Sequence, residues 1–166
     1  MIDLNEVFKD YHLTAERMAG KGVLLVTGKA GNPMTIGWGQ LGIIWGRPVF
    51  TVMVRPSRFS YDTIRKGGEF TVNVMPEDSG KILAVCGSKS GRDTNKLEKC
   101  GLNLLPSEMI ETPGLMEAEI VYECRTRHVN DLVPSTLPVE IINRYYPQDD
   151  FHSFYFGEVI NVRRKV

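Results

Sequence analysis

Long apolar runs are missing from this 166-residue sequence: the longest, such as Val23-Leu-Leu-Val26, fall far short of the ~20 residues a membrane-spanning helix needs. No membrane partner is expected. Net charge is missing too. Twenty Lys and Arg balance twenty Asp and Glu, and the only basic run is Arg163-Arg164-Lys165, so no field gathers polyanions and no nucleic-acid partner is expected. Cysteine is scarce: Cys86, Cys100 and Cys124 are odd in number and lack a C-x-x-C pair, which fits reduced thiols rather than a disulfide framework. The opening Met1-Ile-Asp-Leu-Asn-Glu6 is acidic where a secretory signal would be basic. The expected location is the cytoplasm. His12, His128 and His152 are too far apart for ligand spacing, so no metal site is expected. There is no G-x-S-x-G elbow and no P-loop, leaving acyl transfer and ATP chemistry without a local signature.

What is present is a core-forming composition. Hydrophobic residues make up 42% and charged residues 24% of the chain, and a domain of this length can bury roughly 68–70% of its unfolded surface. No repeat, low-complexity segment or linker divides it, so residues 1–166 read as a single domain. Strand signals dominate. Gly22–Gly28, Met34–Trp45 and Pro48–Val54 read as three consecutive strands, Glu69–Val74 as a fourth, Leu115–His128 as a fifth and Phe154–Arg163 as the last. Helical segments are short: Ser60–Lys66 with a serine cap and a Gly67-Gly68 stop, Ser79–Cys86, Asp93–Gly101 and Val139–Tyr146. Strands at this spacing imply a mainly β barrel closed on itself.

Gly37-Trp-Gly-Gln-Leu-Gly42 matches G-x-G-x-x-G by letter. The pattern marks a dinucleotide site only where a helix follows, and here a strand and a turn follow. Glycines that thin a strand where something packs closely are the preferred reading. The informative region runs from Asn32 to Asn73. Asn32-Pro-Met34-Thr35-Ile36-Gly37-Trp38 sets polar donors beside an indole, a mixture suited to a flat heteroaromatic with polar edges. Arg55-Pro-Ser57-Arg58-Phe59-Ser60 brings two guanidiniums, two hydroxyls and a helix N-terminus to one place, as a phosphate monoester requires. A solvated turn with an ordinary serine cap is the alternative for that segment taken alone. The loop from Ser88 to Lys96 offers Ser88, Ser90, the Gly91 N–H, Arg92 and Lys96, and taken alone it too reads as a solvated loop. Together the segments point to a phosphorylated ring compound.

These segments resemble the flavin reductase-like proteins with an FMN-binding split barrel, flavoredoxin-type members in particular. The resemblance rests on Asn32-x-Met-Thr35 with Trp38-Gly39, Arg55-Pro-x-Arg-x-Ser60, Ile64-x-x-x-Gly68-Glu-Phe-x-Val-Asn73, Cys86-Gly-x-x-Ser-Gly-Arg-Asp93, and His152-x-x-x-x-Gly157-Glu-Val. No single element decides it; their order and spacing do. The resemblance implies a six-stranded antiparallel Greek-key barrel with peripheral helices, FMN as cofactor, and a homodimer with the cofactor near the subunit interface. It implies that Met34–Trp38 line the isoalloxazine, that Arg55, Ser57, Arg58, Phe59 and Ser60 hold the phosphate region, and that Ser88–Lys96 close over that end.

Function divides three ways. An NAD(P)H-dependent flavin reductase, with NADH or NADPH as donor and a flavin or redox protein as acceptor, leads. A flavoredoxin-like carrier exchanging electrons with protein partners stands second, and a barrel without flavin redox chemistry third. His152 is the candidate catalytic residue, against the reading of a hydrogen-bonded strand histidine. Trp38 divides evenly between ring contact and core, and Trp45 is expected in the core. Tyr145, Tyr146 and Phe151 are candidates to cap the pocket or to anchor the core.

Overall fold

The computed structural model describes residues 2–165. Two helices open the chain, α1 (Leu4–Phe8) and α2 (Tyr11–Ala19), followed by the strands β1 (Val23–Thr27), β2 (Asn32–Ile36), β3 (Gly39–Ile44) and β4 (Arg47–Val54). Helix α3 (Phe59–Gly67) leads to β5 (Glu69–Val74). After α4 (Gly80–Ser88), α5 (Lys96–Cys100) and the two-residue strands β6 (Leu104–Leu105) and β7 (Gly114–Leu115) comes the long β8 (Ile120–Asp131). A 3-10 turn, α6 (Val139–Tyr145) and β9 (Ser153–Arg164) complete the described chain.

Seven strands form one antiparallel sheet in the order β2-β1-β5-β8-β9-β4-β3. The expected count was six. The difference lies at Gly37-Trp38, where the segment expected as a single strand breaks: its first half pairs with β1 and its second with β4. The two edges of the sheet are therefore consecutive in the chain and joined by two residues, so the sheet curls back on itself and stays open at that seam. One core confirms the closure. Leu25, Met34, Leu41, Phe50, Phe70, Tyr122 and Tyr155, one from each of the seven strands, pack in a single buried set. Alternate residues of the same strands face outward, and Leu24, Val26 and Val121 form a second core with Leu83, Cys86 and Leu115 beneath α4, α5 and β7. The crossover from β4 through α3 to β5, which pairs with β1 rather than β4, is the Greek-key step.

Other differences have local causes. Leu115 belongs to β7, and the long strand starts only at Ile120. The helix expected over Asp93–Gly101 shrinks to α5, whose N-cap Asn95 accepts from the Glu98 N–H at 3.3 Å. Helix α2 has Thr14 as its one buried residue, so it carries little apolar periodicity to reveal it. Trp45, expected in the core, is 61% exposed. It and Gly46 have φ of 53° and 68° and make the two-residue turn between β3 and β4, where positive φ at both positions matches strand twist. Its ring rests against His128 and Phe156, with centroids 6.3 and 6.4 Å away.

Candidate functional site

The open seam of the barrel positions a groove. A cavity of about 180 Å³ is lined by Met34, Thr35, Ile36, Gly37, Trp38, Met53, Arg55, Arg58 and His152. A second, of about 220 Å³, is lined by Met34, Ser57, Arg58, Phe59, Ser60, Ser88, Lys89, Ser90, Gly91, Arg92 and Lys96. Met34 and Arg58 belong to both, so the cavities are two ends of one groove. All the residues assigned from sequence to cofactor binding or catalysis line it except Asn32, whose Nδ2 instead donates to Ser60 Oγ at 2.9 Å; Tyr145, Tyr146 and Phe151, the candidate caps, line neither cavity. Met53 and Lys89 were not singled out. Met53 was legible: Val52 and Val54 on either side face the core, so alternation turns Met53 outward.

The second cavity is cationic. No Asp or Glu lines it, and neither Arg58 nor Lys96 makes a salt bridge among the described residues. Lys96 is 3% exposed. Burial lowers the proton affinity of both groups; on Arg58 the charge of Arg55 adds to it against Asp150, and on Lys96 the neighbouring Cys86 opposes it more than Arg58 adds to it. Unpaired buried charge is costly, which makes this end receptive to an anion. Helix packing creates it: Arg58 Nη2 donates to the Gly87 carbonyl at 2.8 Å, tying the start of α3 to the end of α4. Arg92 lies 5.7 Å over the Phe59 ring and donates to the Ser57 carbonyl at 3.1 Å. Gly91 allows the loop to close, since a Cβ there would lie 2.5 Å from the Phe59 ring. Ser60 is not the cap of α3. The N-cap is Arg58 and makes no side-chain cap bond, so no side chain satisfies the first-turn N–H groups beside this cavity.

Arg55 and Ser57 are engaged differently from the expectation. Arg55 donates to the carbonyls of Tyr145 (2.9 Å) and Asp150 (3.1 Å) and stacks 5.0 Å over Tyr146. Ser57 Oγ donates to Asp150 Oδ2 at 2.5 Å. Both pin the segment between α6 and β9 across the first cavity. There Tyr146 Oη and His152 Nδ1 are 2.8 Å apart, Trp38 meets Tyr145 edge-on at 5.1 Å, and the His152 ring lies 5.2 Å from Trp38. Burial, followed by the positive charge of Arg55, draws the His152 pKa down to about 4, and burial pushes the Tyr146 phenol up. At neutral pH both are uncharged. Tyr146 is buried while Tyr145 and Trp38 are partly exposed.

The G-x-G-x-x-G letters run into β3, with no helix after them. A Cβ on Gly39 would lie 2.6 Å from the Thr51 carbonyl oxygen, so close strand packing accounts for that glycine. Among the described residues no three His, Cys, Asp or Glu side chains group as a metal site, and no helix is long and apolar enough to cross a membrane.

The family model described as the flavin reductase like domain matches residues 16–165. An uncharacterised protein of Archaeoglobus fulgidus is 31% identical over 103 residues, and one of Pyrococcus abyssi 29% over 101. These matches cover 61% and 60% of this chain, and the chain spans 58% of the length of each relative. Flavoredoxin of Desulfovibrio vulgaris (Miyazaki F) is similar in structure, with a TM-score of 0.69 and 20% identity over 87% of this chain and 69% of that one. The FMN-binding protein of Thermus thermophilus, solved with p-hydroxybenzaldehyde, gives a TM-score of 0.68 at 20% identity over 87% and 71%. Nitrilotriacetate monooxygenase component B of Bacillus cereus gives 0.69 at 17% identity over 99% and 80%. With 150 of its 166 residues matched by that family model, the chain belongs to the flavin reductase-like family.

Proposed function

We propose that this chain binds FMN along the groove and acts as an NAD(P)H-dependent flavin reductase, taking electrons from NADH or NADPH and passing them to a flavin or a redox protein. One observation carries the reading: a single groove joins a cationic end, with Arg58 and Lys96 lacking acidic partners, to an end lined by Met34–Trp38 and His152. A phosphate monoester fits the first and a flat heteroaromatic the second. FMN, when bound, supplies the redox chemistry by accepting a hydride and releasing electrons. Arg58, Lys96, Ser60, Ser88, Ser90 and the Gly91 N–H hold the phosphate and ribityl end. Arg55 and Ser57 keep the covering segment in place. Met34, Thr35, Ile36, Gly37 and Trp38 receive the ring, and Asn32 fixes Ser60. His152, neutral at physiological pH, is the candidate catalytic residue and serves as a hydrogen-bonding group beside the ring.

The chain works in the cytoplasm as a single domain and as a homodimer; the exposed Trp38, Tyr145, Ile141 and Val139 near the groove supply apolar surface for a second copy. The test is the visible spectrum of the purified protein before and after anaerobic addition of NADH or NADPH. A yellow protein bleached by either nucleotide is expected. A colourless protein that gains no thermal stability with excess FMN would sink the flavin reading.

The second reading, a flavoredoxin-like carrier, is favoured by the exposure of Trp38 (39%) and Tyr145 (37%) beside the ring end, where a redox partner could approach. Bleaching by a reduced partner protein and not by either nucleotide would select it.

A further inference from the structure

Two thiols that the proposed reaction does not use lie behind the cationic end of the groove. Cys86 is fully buried in the second core, and Cys100 is partly buried against it. They stand on different helices, α4 and α5, which pack together, and the Cys100 thiol is the hydrogen-bonding neighbour of the Cys86 thiol. The Lys96 ammonium neighbours both sulfurs. Each cysteine is also tied to a cation of the groove. Lys96 lies one helical turn before Cys100 on α5, while Gly87, next to Cys86, holds Arg58 through its carbonyl at 2.8 Å. The third cysteine, Cys124, sits apart in the barrel core and is fully buried there.

We propose that Cys86 and Cys100 are a redox-active dithiol that hydrogen peroxide closes to a disulfide, cross-linking α4 to α5 and loosening the hold of the cationic end on its phosphate. The effect on FMN rests on the function proposed above; the thiol chemistry does not. Cys100 reacts first, because partial exposure lets peroxide reach it in the electropositive setting that marks reactive thiols. Its sulfur attacks one peroxide oxygen, the O–O bond breaks, and a sulfenic acid and one water form. Burial, which pushes the Cys86 thiol up to about 12, keeps that group inert until then. The Cys86 sulfur next displaces the hydroxyl: the S–S bond forms, the S–O bond breaks, and the thiol proton leaves with the hydroxyl as a second water. The two thiols lose two electrons in all, and both peroxide oxygens are reduced to water. Dioxygen that takes two electrons from a reduced flavin becomes the same peroxide, so the oxidant arises where the proposed reaction operates. Closure has a mechanical consequence. Thiols in hydrogen-bonding contact stand farther apart than bonded sulfurs, so the bond draws the short helix α5 toward α4. Lys96 moves with it.

The test treats the full chain with hydrogen peroxide, counts free thiols after denaturation, maps the disulfide by peptide mass, and titrates FMN before and after. The count is expected to fall from three thiols to one, with Cys86 and Cys100 joined within one chain and Cys124 free. FMN should bind the oxidised protein more weakly, by roughly threefold or more, and dithiothreitol should restore both thiols and affinity. In Cys86→Ser the reaction should stop at a sulfenic acid on Cys100, trapped by dimedone. Cys100→Ser, at the more exposed position, should keep its two remaining thiols and its FMN affinity through the same treatment. A count that stays at three, a disulfide that involves Cys124 or joins two chains, or an FMN affinity unchanged by oxidation overturns the proposal. A reduced protein that binds no FMN defeats the flavin reading instead, and the thiol count and the mapping then decide the dithiol by the same criteria.

Discussion

The two ends of the groove are built from different materials. The cationic end is made by helix starts and a loop, with Arg58 half-buried, Lys96 buried and neither in a salt bridge among the described residues. The ring end is made by the edge of the barrel and a pinned segment, where Trp38, Tyr146 and His152 are neutral and Arg55 is tied to the segment's carbonyls. Affinity should therefore reside mainly at the first, because an anion there relieves unpaired charge. Selectivity and protonation behaviour should reside at the second. Arg58→Met is the largest expected break: removing a half-buried cation from its anionic partner costs about 3 kcal/mol, or roughly a hundredfold in the Kd for FMN. Isothermal titration measures it. Arg58→Lys, which keeps the charge but not the fork that reaches the Gly87 carbonyl, should fall between.

At the ring end the expected effect is on stability. The His152 pKa of about 4 lies below the ordinary 6.5 because burial, Arg55 and Arg58 oppose the charged form, with Asp150 acting the other way. Above pH 6.5 neither the folded nor the unfolded state carries that proton, and the contribution is complete. As pH falls below 6.5 the unfolded chain binds the proton first, so stability drops until about pH 4 and then levels. At 1.36 kcal/mol per decade the full loss is roughly 3.4 kcal/mol, of which about 2.5 kcal/mol falls between pH 7.5 and 4.5. Urea denaturation at pH 7.5 and 4.5 should show this loss in the wild type and not in His152→Gln. An equal loss in both would remove His152 as its source.

Lys96→Met sharpens the contrast, because it should act with opposite signs on stability and affinity. Losing a buried, unpaired ammonium should raise the stability of the FMN-free protein by about 1–2 kcal/mol. Losing its attraction for the phosphate should weaken FMN about tenfold, or ~1.4 kcal/mol. Thermal melts with and without FMN report both. A destabilised apoprotein would mean that Lys96 packs rather than waits for an anion.

The groove was legible because its residues come in contiguous runs. Asn32–Trp38, Arg55–Ser60 and Ser88–Lys96 each carry a local chemical signature, and the topology only had to bring them together. What stayed hidden depends on distant partners. The carbonyls that hold Arg55 belong to Tyr145 and Asp150, some ninety residues away, so nothing in its own segment marks Arg55 as a clamp. The seam at Gly37-Trp38 leaves no local mark because both halves are extended, and pairing rather than local pattern divides them. Trp45 misled for a related reason: an aromatic at a strand end reads as core, whereas the positive φ of a two-residue turn puts it outside.

Trp38 offers the smallest and most discriminating break. It lies on the seam, lines the ring end, and is 39% exposed, so it contributes one face of contact and little burial. Trp38→Ala should weaken FMN by about 1 kcal/mol, roughly fivefold, the scale of one aromatic contact. Trp38→Phe should recover most of that loss. Melting temperature should hardly change, because Trp38 is no part of the barrel core. If Trp38→Ala instead costs as much affinity as Arg58→Met, binding energy is spread evenly along the groove, and the division between an end that holds and an end that selects is wrong.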